Sequence, residues 1–275
     1  MTFMRTAIVF SIAAIFVVLL PFAALSQQSG SKPKTPQARK SEDPKSMQMN
    51  QYNKAVSLRD SGNNDAAFEI FSRLITESPD NMLFERGYID TVLEQILDLK
   101  QSENNEWKAK AKFAQLRIKQ MRGKHFANPH FHYIWSKFSW IADSNNLNSI
   151  FTPLNRAIVY RPDFSDAYIL KGDIYLEQVK SMSSSRPETM YFGVLNSHTT
   201  RSEFLAIAKG AYAKAISIGN LSKARFAYAY FRMGELETLL GGNKVTDAAA
   251  ANLEQAVSYA PDSRAGILAA KILGR

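Results

Sequence analysis

The feature that most constrains this chain is a spacing that recurs along it. A small or apolar residue is followed four and then three positions later by others, with a chain breaker five further on. The pattern occurs at Ala67-Phe71-Leu74-Pro79, Ile150-Leu154-Ala157-Pro162, Ala208-Tyr212-Ala215-Asn220 and Ala249-Leu253-Ala256-Pro261. Steps of four and three bring side chains onto one face of a helix, not of a strand, and small members let a partner helix approach closely. Each such segment follows another helical signature: Ala55 with Leu58, Phe138 with Ile141, Gly172 with Tyr175, and Gly234 in YFRMGELETLLGG. The unit is therefore a pair of helices, repeated.

The join between two units is clearest in Asn155–Tyr175, NRAIVYRPDFSDAYILKGDIY. Pro162 lacks an N–H and restricts Arg161, which ends one helix, and Asp163 or Ser165 is placed to cap the next. Gly172 then lies between Tyr168 and Tyr175. These offsets resemble the tetratricopeptide repeat (TPR), a helix–turn–helix of about 34 residues. The resemblance implies an all-α, right-handed solenoid of about five helical hairpins plus a C-terminal capping helix, running from about Met49 to the C-terminus.

The spacing between units locates the irregularities. Between Leu74 and Ala157 the chain has room for one divergent hairpin, with helices expected near Met82–Leu99 and Glu106–Arg122. Between Ala157 and Ala215 there is a surplus over one repeat, which marks 181–202 as an insertion. Its ends are polar, but Met190, Tyr191, Phe192, Val194 and Leu195 form an apolar centre that calls for a cover. Asp262 to Leu273 reads as a cap over the exposed edge of the last hairpin.

Before the repeats, residues 1–26 read as a sorting signal. Arg5 precedes an apolar run from Ala7 to Leu20, Pro21 breaks it, and Ala24-Leu25-Ser26 offers a small-x-small cleavage site. The rival reading is a retained inner-membrane anchor through residues 7–25. No cysteine follows to accept a lipid, so a lipoprotein is excluded. Residues 27–47, with prolines, basic side chains and no aromatic residue, read as a disordered basic linker, leaving 48–275 as the repeat domain. The chain has no cysteine at all, which rules out disulfides, thiolate catalysis and cysteine-based zinc sites. A compact export signal and no cysteine point to the periplasm or envelope of a bacterium. With 45% apolar residues, stacked repeats supply the core instead of cross-links.

The net charge is +9, and the sharpest concentration lies in the second helix of the divergent hairpin. Trp107, Ala111, Ala114, Ile118 and Met121 form its packing stripe, while Lys108, Lys110, Lys112, Arg117, Lys119, Arg122 and Lys124 cover much of the remainder. Lys108, Lys112, Lys119 and Arg122 are the candidates for binding an anionic membrane or cell-wall surface. Export separates the chain from nucleic acid, which is not expected as a partner. His125, His130 and His132 lie close in sequence, but no carboxylate accompanies them and no metal site is expected.

The TPR resemblance implies a platform without catalytic groups or cofactors, which holds a peptide or helix of another protein in its concave groove. Carried over by repeat, the groove positions are Tyr52, Asn53 and Arg59; His132, Trp135 and Ser139; Asp173 and Glu177; and Tyr228, Phe231, Arg232 and Glu235. Trp140 is expected on the packing side. The paired lysines and asparagines that clamp a terminal carboxylate in part of the family are not matched. Asp173 and Glu177, one turn apart, are also the pair that acid/base catalysis would use. No phosphate loop, G-x-S-x-G elbow or H-E-x-x-H helix accompanies them, so the chain is not expected to be an enzyme. Neither the partner's identity nor the oligomeric state follows from the residues.

Overall fold

The computed structural model describes residues 43–181, 189–192 and 197–275. The expected signal or anchor (1–26) and most of the linker lie outside these residues, as do Val194 and Leu195 of the insertion. The described part is one compact unit. It is all-α apart from a short hairpin, and its helices pair in sequence: α1 (Pro44–Asp60) with α2 (Asn64–Glu77), α3 (Met82–Gln101) with α4 (Trp107–His125), and α5 (Pro129–Ala142) with α6 (Leu147–Tyr160). Then α7 (Ser165–Ser181) pairs with α8 (Arg201–Ile218), α9 (Lys223–Leu240) with α10 (Asp247–Tyr259), and α11 (Arg264–Ile272) closes the array. This is a TPR-like solenoid of five hairpins and a terminal helix. The first helix begins at Pro44, earlier than the expected domain start at 48. Among the described residues no helix is long and apolar enough to cross a membrane.

Caps set the helix starts. The side chains of Asn63, Asn81, Asn128 and Asn146 accept from backbone N–H groups of the first turns of α2, α3, α5 and α6. Ser222, Thr246 and Ser263 do the same for α9, α10 and α11, and Thr200 with Glu203 forms a reciprocal capping box on α8. Each cap removes an orphaned donor and contributes about 1 kcal/mol. Ser165 does not cap α7 with its side chain. Its buried hydroxyl donates instead to Asn220 Oδ1 at 2.5 Å, while Asn220 Nδ2 donates to the Asp163 carbonyl at 2.9 Å. That clasp joins the start of the fourth hairpin to its end.

Close approach within hairpins uses the small residues. A Cβ on Gly172 would lie 2.6 Å from the Tyr212 ring of α8, and one on Gly234 would lie 2.8 Å from Leu253 of α10. In α5 the equivalent place is held by Ser136, whose hydroxyl donates to the Ile150 carbonyl of α6 at 2.8 Å. The main core runs from Ala55 to Leu236, with a second cluster at Ala227, Phe231, Leu253, Ala256, Ala265 and Ala269. The terminal helix therefore covers the last hairpin with its alanines. Leu273 packs beside them, whereas Ile267, Leu268 and Ile272 stay exposed.

The 181–202 insertion contains an antiparallel pair, β1 (Thr189–Phe192) and β2 (Ser197–Thr200), with Thr189 opposite Thr200 and Phe192 opposite Ser197. Whether its apolar centre is covered lies outside the described residues.

Candidate functional site: a closed concave cup

The first helices of the hairpins form the concave wall, and the array curls until its ends meet. Ser222, at the start of α9, donates to Asp60 Oδ2 at the end of α1 across 3.1 Å, and Arg264 of α11 lies 3.5 Å from Asp98 of α3. The concave surface is thus a cup with a cavity of about 330 Å³. Its lining includes Arg59, Arg86, Asp90, Tyr133, Lys137 and Asp166, together with Glu94, Trp140, Leu170, Asp173, Tyr228, Phe231 and Leu268.

A network of ion pairs holds the wall together across repeats. Asp90, 2% exposed, is its hub: it accepts from Lys137 Nζ at 3.1 Å and lies 3.4 Å from Arg86 and 3.5 Å from Arg59. Arg59 also pairs with Asp60, Lys137 with Glu94 at 2.9 Å, and Arg86 with Asp166, which Arg225 reaches at 3.0 Å. Buried charges of this kind persist only when paired. Burial works against ionisation of Asp90 and Asp166, but the neighbouring cations outweigh it and hold both pKa values below the usual carboxylate range. Likewise Asp90 and Glu94 overcome the burial of Lys137 and keep its pKa above that of ordinary lysine.

Asp173 is a second node. It accepts from the hydroxyls of Tyr212 (2.7 Å) and Tyr228 (3.1 Å) and from Arg232 Nε (3.1 Å). Burial outweighs these donors and leaves its pKa raised. Arg232 also reaches Glu177 at 2.6 Å and Glu235 at 2.7 Å, and Lys180 bridges the same two carboxylates at 3.1 Å. Glu177 is buried in part, but Arg232 and Lys180 hold its pKa down. Asp173 and Glu177 therefore share a cation and do not face one another as a free acid and base.

Of the expected groove residues, Arg59, Asp173, Tyr228 and Phe231 line the cup. Arg232, Glu177 and Glu235 form the cluster beside it. Tyr52 instead packs its ring on Phe71 and Phe84, at 5.7 and 5.8 Å, and Asn53 is exposed without lining the cavity. The third hairpin requires a larger correction. His132 is fully buried against Phe126, Phe131, Trp135 and Tyr160; Ser139 is buried outside the cup; and Trp135 lies by Thr152, Pro153 and Arg156 on the α6 side. Tyr133, Lys137 and Trp140 take the concave positions, and Trp140, expected only on the packing side, both packs against the core and lines the cup. The error is one of phase, since a one-residue shift turns a helix by about 100°. Ser136 holds the close-approach position of this hairpin. The repeat offsets do not single out Asp60, Arg86, Asp90, Glu94, Asp166 or Arg225, although Arg86, Asp90 and Glu94 recur every four residues along a largely buried helix.

The outer helix α4 presents the expected cations in three groups. Lys110 donates to Gln95 at 3.0 Å, Arg117 pairs with Glu85, and Lys124 pairs with Asp80 at 2.7 Å. Lys108 lies 5.9 Å from the Trp107 ring, and Arg122 lies 5.8 Å from Phe126 and 5.6 Å from Trp135. Lys112 and Lys119 are exposed and have no partner among the described residues. Leu116, 56% exposed, lies between them in sequence, and Phe113 is 44% exposed. The histidines do not converge: His130 packs by Arg86 and Phe164, while His132 lies in the aromatic cluster described above. Among the described residues no group of three or more potential metal ligands forms.

No family model and no curated protein matches the chain. Solved structures do. A thermophilic TPR protein of Thermus thermophilus, TTC0263, matches with a TM-score of 0.52 and 16% identity over 83% of this chain and 100% of its own. MamA matches with a TM-score of 0.38 and 18% identity, over 74% of this chain and 93% of its own. At these identities the first likeness is one of fold, and that fold is TPR-like.

Proposed function

We propose that the protein is a non-catalytic scaffold for protein–protein contact, exported to the bacterial cell envelope, and that it engages its partner through the concave cup. The observation that carries this reading is a cavity walled by the first helices, with Trp140, Tyr228, Phe231 and Leu268 in its lining. Few aromatic anchors in a desolvated pocket supply most of the affinity of such contacts. The cup, about 330 Å³, has room for at least a side chain or chain end of such a partner.

The export reading rests on Arg5, the apolar run Ala7–Leu20 and the Ala24-Leu25-Ser26 site. If that segment is retained, it anchors the domain to the inner membrane through residues 7–25. A second reading, attachment to anionic lipid or cell-wall polymer, is favoured by unpaired Lys112 and Lys119 beside exposed Leu116 and Phe113. A crosslinking pull-down from cell envelopes separates the two. Partner recovery lost in Trp140→Ala but kept in a Lys112→Gln, Lys119→Gln variant supports the cup. The reverse pattern, with retention that weakens in high salt, supports the cationic helix and sinks the cup reading.

A further inference from the structure

We propose that the cup is a subsite for a cationic group, a guanidinium or primary ammonium of the kind borne by arginine and lysine. The proposal deepens the scaffold reading above and rests on it. The first ground is the state of the wall's own charges. Arg59, Arg86 and Lys137 each already pair with two carboxylates, and Arg225 with one. An anionic guest would have to break those pairs in a buried setting, where an unpaired charge is costly.

The carboxylates are less fully used. Glu94 receives one bond, from Lys137, and its side chain is still 35% exposed. One turn further along α3, Asp98 accepts from Asn64 at 2.9 Å, has Arg264 no nearer than 3.5 Å, and is 48% exposed. Both line the cavity. An ionised carboxylate offers about four acceptor sites, so each retains capacity for an N–H donor. Burial tends to neutralise Glu94, but Lys137 outweighs it and keeps the carboxylate ionised.

The second ground is aromatic. Trp140 and Phe231 line the same cavity, and the faces of such rings attract a cation but not an anion; the Tyr228 ring beside them already carries Arg225, whose guanidinium lies 5.2 Å from its centroid. Carboxylates together with aromatic walls in one small cavity match a flat or compact cation on a short aliphatic stem, whose methylenes Leu170 and Leu268 can cover. Such a cation comes either from a basic side chain of a partner protein or from a free small molecule.

Calorimetric titration of the full chain, kept in detergent if the N-terminal segment requires it, tests the proposal. Agmatine and cadaverine serve as free cations, an acetylated and amidated Gly-Arg dipeptide as the side-chain source, and succinate as the anion. The cations should bind saturably and succinate should not. Glu94→Gln with Asp98→Asn should weaken them by about tenfold or more; because Glu94 also holds buried Lys137, the single variant Asp98→Asn, at a side chain 48% exposed, is the one that should weaken them with melting close to wild type. Trp140→Leu, which keeps an apolar wall, should also weaken them. Tighter binding of the dipeptide than of agmatine assigns the site to a partner protein, and the opposite order assigns it to a free cation. No saturable cation binding, binding unchanged in the carboxylate variant, or preference for succinate overturns the proposal. Those failures leave the scaffold reading to the Trp140→Ala pull-down, which does not depend on the charge of the guest.

Discussion

Asp90→Asn removes the central charge of the ion-pair network while keeping the size of the side chain and one carbonyl acceptor. Asp90 is 2% exposed and faces Lys137, Arg86 and Arg59 at 3.1 to 3.5 Å. Breaking a buried pair costs about 3–5 kcal/mol because a charge is stranded in a poorly solvating interior. Here each cation keeps another carboxylate, Glu94 for Lys137, Asp166 for Arg86 and Asp60 for Arg59. The lower end, about 3 kcal/mol, is therefore expected, or about 6–12 °C in Tm for a domain of this size. Urea unfolding should show a lower midpoint with an unchanged slope. The depressed pKa of Asp90 sets the pH dependence: its contribution is present above the ordinary value near 3.9 and is lost as pH falls through the lower folded value. The gap between wild type and variant should shrink accordingly in acid. Asp80→Asn is the control, since Asp80 and Lys124 are 75% and 70% exposed and solvent screens such a pair, so the melting curve should not move measurably. Equal stability of Asp90→Asn and wild type at neutral pH would refute the network as a structural clamp.

Further outcomes follow from single contacts. Gly172→Ala should destabilise by about 1–3 kcal/mol, because its Cβ meets a Tyr212 ring that is fully buried and tied to Asp173; Gly210→Ala, with nothing within 4 Å, should instead gain up to about 1 kcal/mol in thermal melts. His130 should make the fold acid-sensitive. Burial first, then Arg86 and Arg161, press its pKa down to about 3, so neutral imidazole is favoured and its stabilisation declines as pH falls below 6.5. The loss between pH 7 and pH 5 is ~2 kcal/mol, and His130→Asn should flatten that part of the pH–stability curve. Leu116→Ser should leave stability within about 0.5 kcal/mol, yet reduce sedimentation with anionic vesicles if α4 is a surface-binding helix.

The hairpins were legible because what specifies them is local. Steps of four and three mark helix faces, Pro79, Pro162 and Pro261 stop helices, and Asn or Ser caps start them within a turn. Gly172 and Gly234 announced close approach in the same way, since side chains that would collide leave only the smallest residue. Local pattern failed in α5. PHFHYIWSKFSWIA is apolar or aromatic around most of its circumference, so periodicity does not say which side is concave. Packing decided that Tyr133, Lys137 and Trp140 face the cup and that His132 does not. The closure itself could not be read from residues. It depends on small rotations accumulated over five hairpins, which bring Ser222 to Asp60 across 162 positions of sequence. By itself, then, the sequence determined the repeated helical unit and its boundaries, through short-range sterics and capping. Only the tertiary structure decided that the groove is a small cup with its charges largely paired, because that outcome belongs to the curvature of the whole array.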